Sequence, residues 1–152
     1  MRGDVIAFLP PTGNNEVYVK RLIGLPGDRI RIEDGRLFIN GVVIPRRKLG
    51  TRAIETEFRR TITFNEYEET LPNGRRYLVW EASNIEYRPP TEEIVVPIGK
   101  YFFLGDNRDN SLDSRHTNYL GYVPRRSLLH RPEFLYWSND TDRILTTVQP
   151  PS

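Results

Sequence analysis

The sequence predicts a mainly β protein built from short antiparallel strands. Three observations carry this. The 152 residues include 11 Gly and 12 Pro, and no segment keeps a helical period over more than about three turns. Asp-Gly and Asn-Gly pairs stand between short apolar runs, and such pairs accept the positive φ of tight hairpin turns. Aromatic residues (two Trp, eight Tyr and seven Phe) and β-branched residues run the length of the chain, which excludes global disorder.

Taken in order, residues 3–8 and 17–23 read as strands, joined by a loop containing Pro10-Pro11 and Gly13-Asn14-Asn15. The stretch 28–44 is the plainest. Arg29-Ile-Arg-Ile32 alternates, Glu33-Asp34-Gly35 turns the chain, 36–39 is a second strand, Asn40-Gly41 turns again, and Val42-Val43-Ile44 is a third. That is a three-stranded meander. Residues 60–64 and 75–81 follow as strands, the latter entered through Pro72-Asn73-Gly74. Further strands are expected at 94–97, 101–104, 119–123 and 133–137. The one helix candidate is 52–62, where Ile54, Phe58 and Ile62 recur at i, i+4 and i+8 against a β-branched background. The tail 139–152, with its Thr, Gln and Pro, is expected to fray.

Composition bounds the function. The length suits one domain and can bury a core without disulfides or metals. The chain has no Cys, so thiol catalysis, iron–sulfur clusters and Cys-type zinc sites are excluded. Its two His make no convincing metal site without Cys, and no cofactor is expected. A formal charge of +2 is too small by itself to argue for nucleic acid. The longest wholly apolar stretches, such as Val5–Leu9, have about five residues against the ~20 of a membrane span. Charge is uneven: 46–60 holds six basic and two acidic residues. A solvated, extended ribbon explains this more simply than a polyanion groove.

Two segments could carry chemistry. In Glu16-Val-Tyr-Val-Lys20-Arg-Leu-Ile-Gly-Leu-Pro-Gly-Asp28, strand alternation puts Tyr18, Lys20 and Leu22 on one face and Val17, Val19, Arg21 and Ile23 on the other. Arg21 can then extend to water at the strand end. Lys20 sits between bulky neighbours, and a covered face would desolvate its ammonium and lower its pKa toward that of a general base. An ordinary strand lysine instead packs its stem and lets its head snorkel. The second segment is Gly105-Asp-Asn-Arg-Asp-Asn-Ser-Leu-Asp-Ser-Arg115. Its polar density after an apolar strand demands a solvated loop or a self-satisfied hydrogen-bond network. Asp109-x-Ser111-x-Asp113 resembles the start of a calcium loop, but Ser114 and Leu120 stand where Gly and Glu are needed.

Together these segments resemble bacterial type I signal peptidases. Arg2-Gly-Asp-Val-Ile-Ala-Phe8 is similar to that family's third conserved box, Tyr18–Asp28 to the box with the catalytic lysine, and Gly105–Arg115 to the last box almost letter for letter. Glu69-Thr-Leu-Pro-Asn-Gly74 and Gly121-Tyr-Val-Pro124 are familiar flanking pieces. The resemblance implies a Ser–Lys protease that removes signal peptides from exported preproteins, preferring small residues at the first and third positions before the cut. It implies two coiled antiparallel β-sheet domains, a catalytic-type domain over 1–138 with a ribbon over about 46–97 inserted in it. Lys20 aligns with the general base. Ser111 aligns with the serine that hydrogen-bonds it, and Asp113 and Arg115 with a supporting salt-bridged pair. Ala7, Val17, Tyr18 and Val19 align with positions lining the specificity pockets. The implied partners are signal peptides and a membrane surface, at the outer face of the bacterial inner membrane.

The family's nucleophilic serine lies upstream of the third box, just after a membrane anchor. The six serines here are Ser83, Ser111, Ser114, Ser127, Ser138 and Ser152, and none has that context. The oxyanion donors belong to the same upstream segment, so this chain alone is expected to be inactive. Three readings follow. The chain is part of an active signal peptidase, or a serine-less homologue that binds signal peptides, or a β-barrel that binds single-stranded nucleic acid through 46–60. The stretch 116–119 is expected to lengthen a loop, and His130-Arg131-Pro132 departs from the family pattern at the closing strand.

Overall fold

The structure, a computed structural model, describes residues 1–13, 15–55 and 58–130. The predicted strand at 133–137 and the tail 139–152 lie outside the described residues.

Local turn chemistry builds the middle of the chain. β1 (Val5–Phe8) and β2 (Tyr18–Gly24) lead into β3 (Arg29–Glu33), β4 (Arg36–Ile39) and β5 (Val42–Val43). The turns between β3, β4 and β5 use Asp34-Gly35 and Asn40-Gly41, all four residues at positive φ from 48° to 80°. That is the backbone a two-residue hairpin needs, and Gly is the residue that adopts it without strain. β6 (Arg46–Glu55), β7 (Thr61–Thr70) and β8 (Arg76–Ala82) follow, then β9 (Ile94–Val95), β10 (Lys100–Leu104), β11 (Val123–Pro124) and β12 (Leu128–His130). Between β11 and β12 lies one 3₁₀ turn, Arg125–Ser127. Among the described residues no helix is long and apolar enough to cross a membrane.

Three antiparallel sheets result. The first has the order β11-β10-β2-β1-β12, the second β5-β4-β3-β9 and the third β6-β7-β8. One core joins all three: Ile23, Ile30, Ile32, Leu37, Val79 and Phe102 belong to a single buried cluster. A second cluster, with Phe8, Leu22, Phe103, Leu120 and Val123, covers the other face of the first sheet. β2 and β10 are therefore packed on both faces, and their alternating side chains feed both cores. Each fully buried Leu, Ile or Phe contributes roughly 1.5–3 kcal/mol relative to exposure.

Three expectations are corrected. The 52–62 segment is no helix. Ile54 and Ile62 are direct cross-strand partners in the β6–β7 hairpin, so their eight-residue spacing reflects pairing across the ribbon rather than two helical turns. Phe58 stands 84% exposed near the hairpin tip. The strand expected at 119–123 begins only at Val123. The N–H groups of Tyr119, Leu120 and Gly121 all donate to His116 O at 2.9–3.3 Å, which closes a turn instead. Arg21 does not reach water: it is 6% exposed, because the strand continues past it and Asp106 arrives to meet it.

Candidate active site

β2 pairs with β1 from Tyr18 to Arg21, but with β10 only from Arg21 to Gly24. β10 ends at Leu104, and the chain leaves the sheet at Gly105. The loop 105–115 therefore runs beside the part of β2 that β10 does not pair. There Lys20 Nζ donates to Ser111 Oγ at 3.0 Å, a contact between residues 91 apart in sequence. The close approach depends on Gly105. A Cβ on that residue would lie 2.0 Å from Ser111 Oγ and 2.4 Å from Ser111 Cβ.

Asp113 anchors the loop from beneath. It is fully buried and accepts from the Gly105 backbone N–H at 2.9 Å. It also accepts from Arg115 Nε and Nη2, both at 2.8 Å, and from the Arg115 backbone N–H at 3.2 Å. Ser114 Oγ accepts from the Phe103 backbone N–H at 2.9 Å. Much of the loop's polar density is therefore taken up by hydrogen bonds, although Asn107 Oδ1 and Arg108 Nε are buried without a partner.

The electrostatics follow from burial. Desolvation lowers the Lys20 pKa below its ordinary value, against the raising pull of the Asp113 and Asp106 charges, while Arg115 pushes it further down. For Asp113, burial alone would raise the pKa. The hydrogen bonds and charge of Arg115 and the backbone N–H groups outweigh it and hold the carboxyl below the usual range.

Lys20 and Ser111 open onto a cleft of about 760 Å³ whose lining includes Val17, Tyr18, Val19, Lys20, Ser111 and Arg115. Val17 and Val19 are about half exposed and present small apolar surface to it. Ala7 does not line this cleft. It is buried in β1, beside its strand partner Val19.

Several members of the site escaped the sequence reading. Arg21 Nε and Nη2 grip Asp106 at 2.8 and 2.7 Å, and Arg21 Nη1 donates to Gly3 O at 2.7 Å. The cleft lining also includes Glu81, Arg88 and Asp109, with Arg88 Nη2 on Asp109 Oδ2 at 2.6 Å. Asp106 and Asp109 lie inside the second polar segment, so their neighbourhood was signalled. Nothing in the sequence marks Arg88.

The family model described as "Signal peptidase, peptidase S26" matches residues 1–137. Signal peptidase I of Rickettsia akari (strain Hartford) is 42% identical over 143 residues, which cover 90% of this chain and 52% of that protein. For the Rickettsia canadensis (strain McKiel) protein the identity is 43%, with the same coverage of 90% and 52%. The chain spans about half the length of the curated relatives it matches. A crystal structure of a signal peptidase I from Enterococcus faecalis V583 aligns at TM-score 0.49 and 31% identity, covering 87% of this chain and 95% of that one. By its match over nearly the whole length, this chain belongs to the signal peptidase family, peptidase S26.

Proposed function

We propose that this chain carries the general-base half of a serine endopeptidase that removes signal peptides from exported preproteins at the outer face of the bacterial inner membrane. The observation that supports it best is the partly desolvated Lys20 amine, held 3.0 Å from the Ser111 hydroxyl at the edge of a peptide-sized cleft. A general base must be neutral when it acts, and burial is what lowers a lysine toward that state. Its lone pair must also be aimed, which the Ser111 hydroxyl and the Asp113–Arg115 pair beneath it do.

In this reading Ser111 orients and does not attack. The nucleophile is a serine that these 152 residues do not contain. Lys20 takes the proton from that hydroxyl as its oxygen attacks the scissile carbonyl, and returns it to the departing amine. The acyl-enzyme is then cleared by water, again with Lys20 as base. Val17, Tyr18 and Val19 limit the adjoining subsites to small side chains, with Ala7 beside Val19 in the neighbouring strand. Residues 1–138 form the catalytic β unit and 46–97 its ribbon.

The test joins a segment carrying the family's serine box to the N-terminus and follows cleavage of a preprotein. Cleavage is expected in the joined protein, with Lys20→Ala abolishing it and Ser111→Ala lowering it by about 10²-fold or more. The 152-residue chain alone should be inactive. Turnover by that chain, lost in Ser111→Ala, would make Ser111 the nucleophile and overturn the assignment.

A further inference from the structure

The loop bearing Ser111 is fastened to the third sheet as well as to the strand it follows. The Trp80 backbone N–H in β8 donates to Asp106 O, and the Arg108 backbone N–H donates to Trp80 O, both at 2.9 Å. This forms a short parallel bridge between Trp80 and Asn107. Two residues on, the Ala82 backbone N–H donates to Asp109 Oδ2 at 2.8 Å. Between these clasps the Arg108 side chain is 4% exposed and meets Glu69 of β7, which has no exposed surface. Arg108 Nη2 donates to Glu69 Oε2 at 2.6 Å, and Arg108 Nη1 to Glu69 Oε1 at 3.3 Å. The Tyr77 hydroxyl donates to Glu69 Oε2 at 2.6 Å.

The backbone end of Arg108 is tied toward the Lys20–Ser111 pair. Its carbonyl accepts from Arg115 Nη2 at 2.6 Å. Arg115 holds Asp113, Asp113 holds the Gly105 N–H, and Gly105 is packed against Ser111. Tyr77 makes a second link: its ring lies under the Arg21 guanidinium, 4.6 Å from ring centroid to Cζ, and Arg21 neighbours Lys20 in β2. A wholly buried ion pair is weak evidence for stability, since apolar side chains of similar volume often serve folding as well. The pair does supply a fixed point from which the loop is hung.

We infer that Glu69 is a positioning residue, and that the third sheet holds Ser111 against Lys20 through the buried Glu69–Arg108 pair. The inference rests on the proposed role of Lys20 and extends it to a residue outside both chemical segments. It gives the ribbon a part in setting the base.

The test is the titration of the Lys20 amine by NMR in the full 152-residue chain. The chain has only three lysines, so the Lys20 signal has only those of Lys48 and Lys100 to be told apart from. The first variant replaces the cluster by apolar groups: Glu69→Leu, Tyr77→Phe and Arg108→Met together. The charges acting on Lys20 are those of Asp113, Asp106 and Arg115; none of them is substituted and all three sit on the loop, so a shift reports a moved loop. A cooperatively folded variant whose Lys20 titrates about one unit or more above that of the unaltered chain supports the inference. In the serine-supplied enzyme its kcat should fall about tenfold or more with little change in KM. A folded variant with an unshifted Lys20 overturns it. Should the triple variant not fold, Glu69→Gln, which keeps the shape and removes the charge, is judged by the same shift. An unaltered chain whose Lys20 titrates at the ordinary lysine value would instead sink the base assignment, and this inference with it.

Discussion

Lys20 is costly to the fold it sits in. Its folded pKa is lowered, first by desolvation. The unfolded chain therefore binds more protons between that lowered value and ~10.4, and stability rises with pH across this window. Below the window the buried charge costs stability in full. Lys20→Met should accordingly raise the thermal midpoint at pH 7, and the gain should shrink as pH approaches ~10.4. Thermal unfolding at two pH values checks this, and a lower midpoint at pH 7 would contradict it. Gly105 has the opposite character. Its substitution is felt at one contact, since a Cβ there would fall 2.0 Å from Ser111 Oγ. Gly105→Ala should displace Ser111, and in the serine-supplied enzyme cut cleavage by about 10²-fold. Its circular dichroism should stay that of the parent. Lys20 and Ser111 were legible because each sits in a dense, recognisable segment. Arg21 was misread because its partner Asp106 is 85 residues away, and alternation along one strand cannot report a distant loop.

At the scale of elements, what was legible is what is local. The β3–β4–β5 meander follows from Asp34-Gly35 and Asn40-Gly41, whose turn preferences act within four residues. The ends of β2 and β10 followed from apolar runs bounded by Gly. β6 was hidden because its pattern is set by pairing: Ile54 against Ile62, Ala53 against Thr63. A periodicity count confuses such a hairpin with a helix. The Glu69–Arg108 pair, 39 residues apart, was invisible for the same reason, although each partner stood inside a quoted motif. Packing at this scale has its own test. Phe103 is fully buried in β10 with its ring centroid 4.6 Å from that of Phe8. Phe103→Ala should cost about 3–5 kcal/mol in urea unfolding, against well under 1 kcal/mol for exposed Phe58→Ala at the ribbon tip.

For the molecule as a whole, three carboxylates among the described residues bear on acid stability. Burial alone would raise the pKa of Asp28, Asp109 and Asp113, but hydrogen bonds from Arg2, Arg88 and Arg115 respectively help hold each below its ordinary value. A depressed carboxyl contributes stability that is fully present above the unfolded value of ~3.9 and is lost as pH falls through the folded one. Urea unfolding should therefore show stability flat across neutral pH and falling steeply below about pH 4. Asp113→Asn should be less stable at pH 7 and lose less between pH 4 and pH 2, because one of the three titrations is gone. The three sheets share one core, so these losses should register in a single cooperative transition. That cooperation also gives Lys20 its setting: a strand that β10 leaves partly unpaired, a loop hung from the third sheet, and a cleft that both line. The most direct measurement of the proposed base role is the NMR titration of Lys20 in the unaltered chain, which needs neither substrate nor an added segment. Lys20 should titrate with a midpoint clearly below the ordinary lysine value of ~10.4. A Lys20 that titrates at that ordinary value would contradict the base assignment.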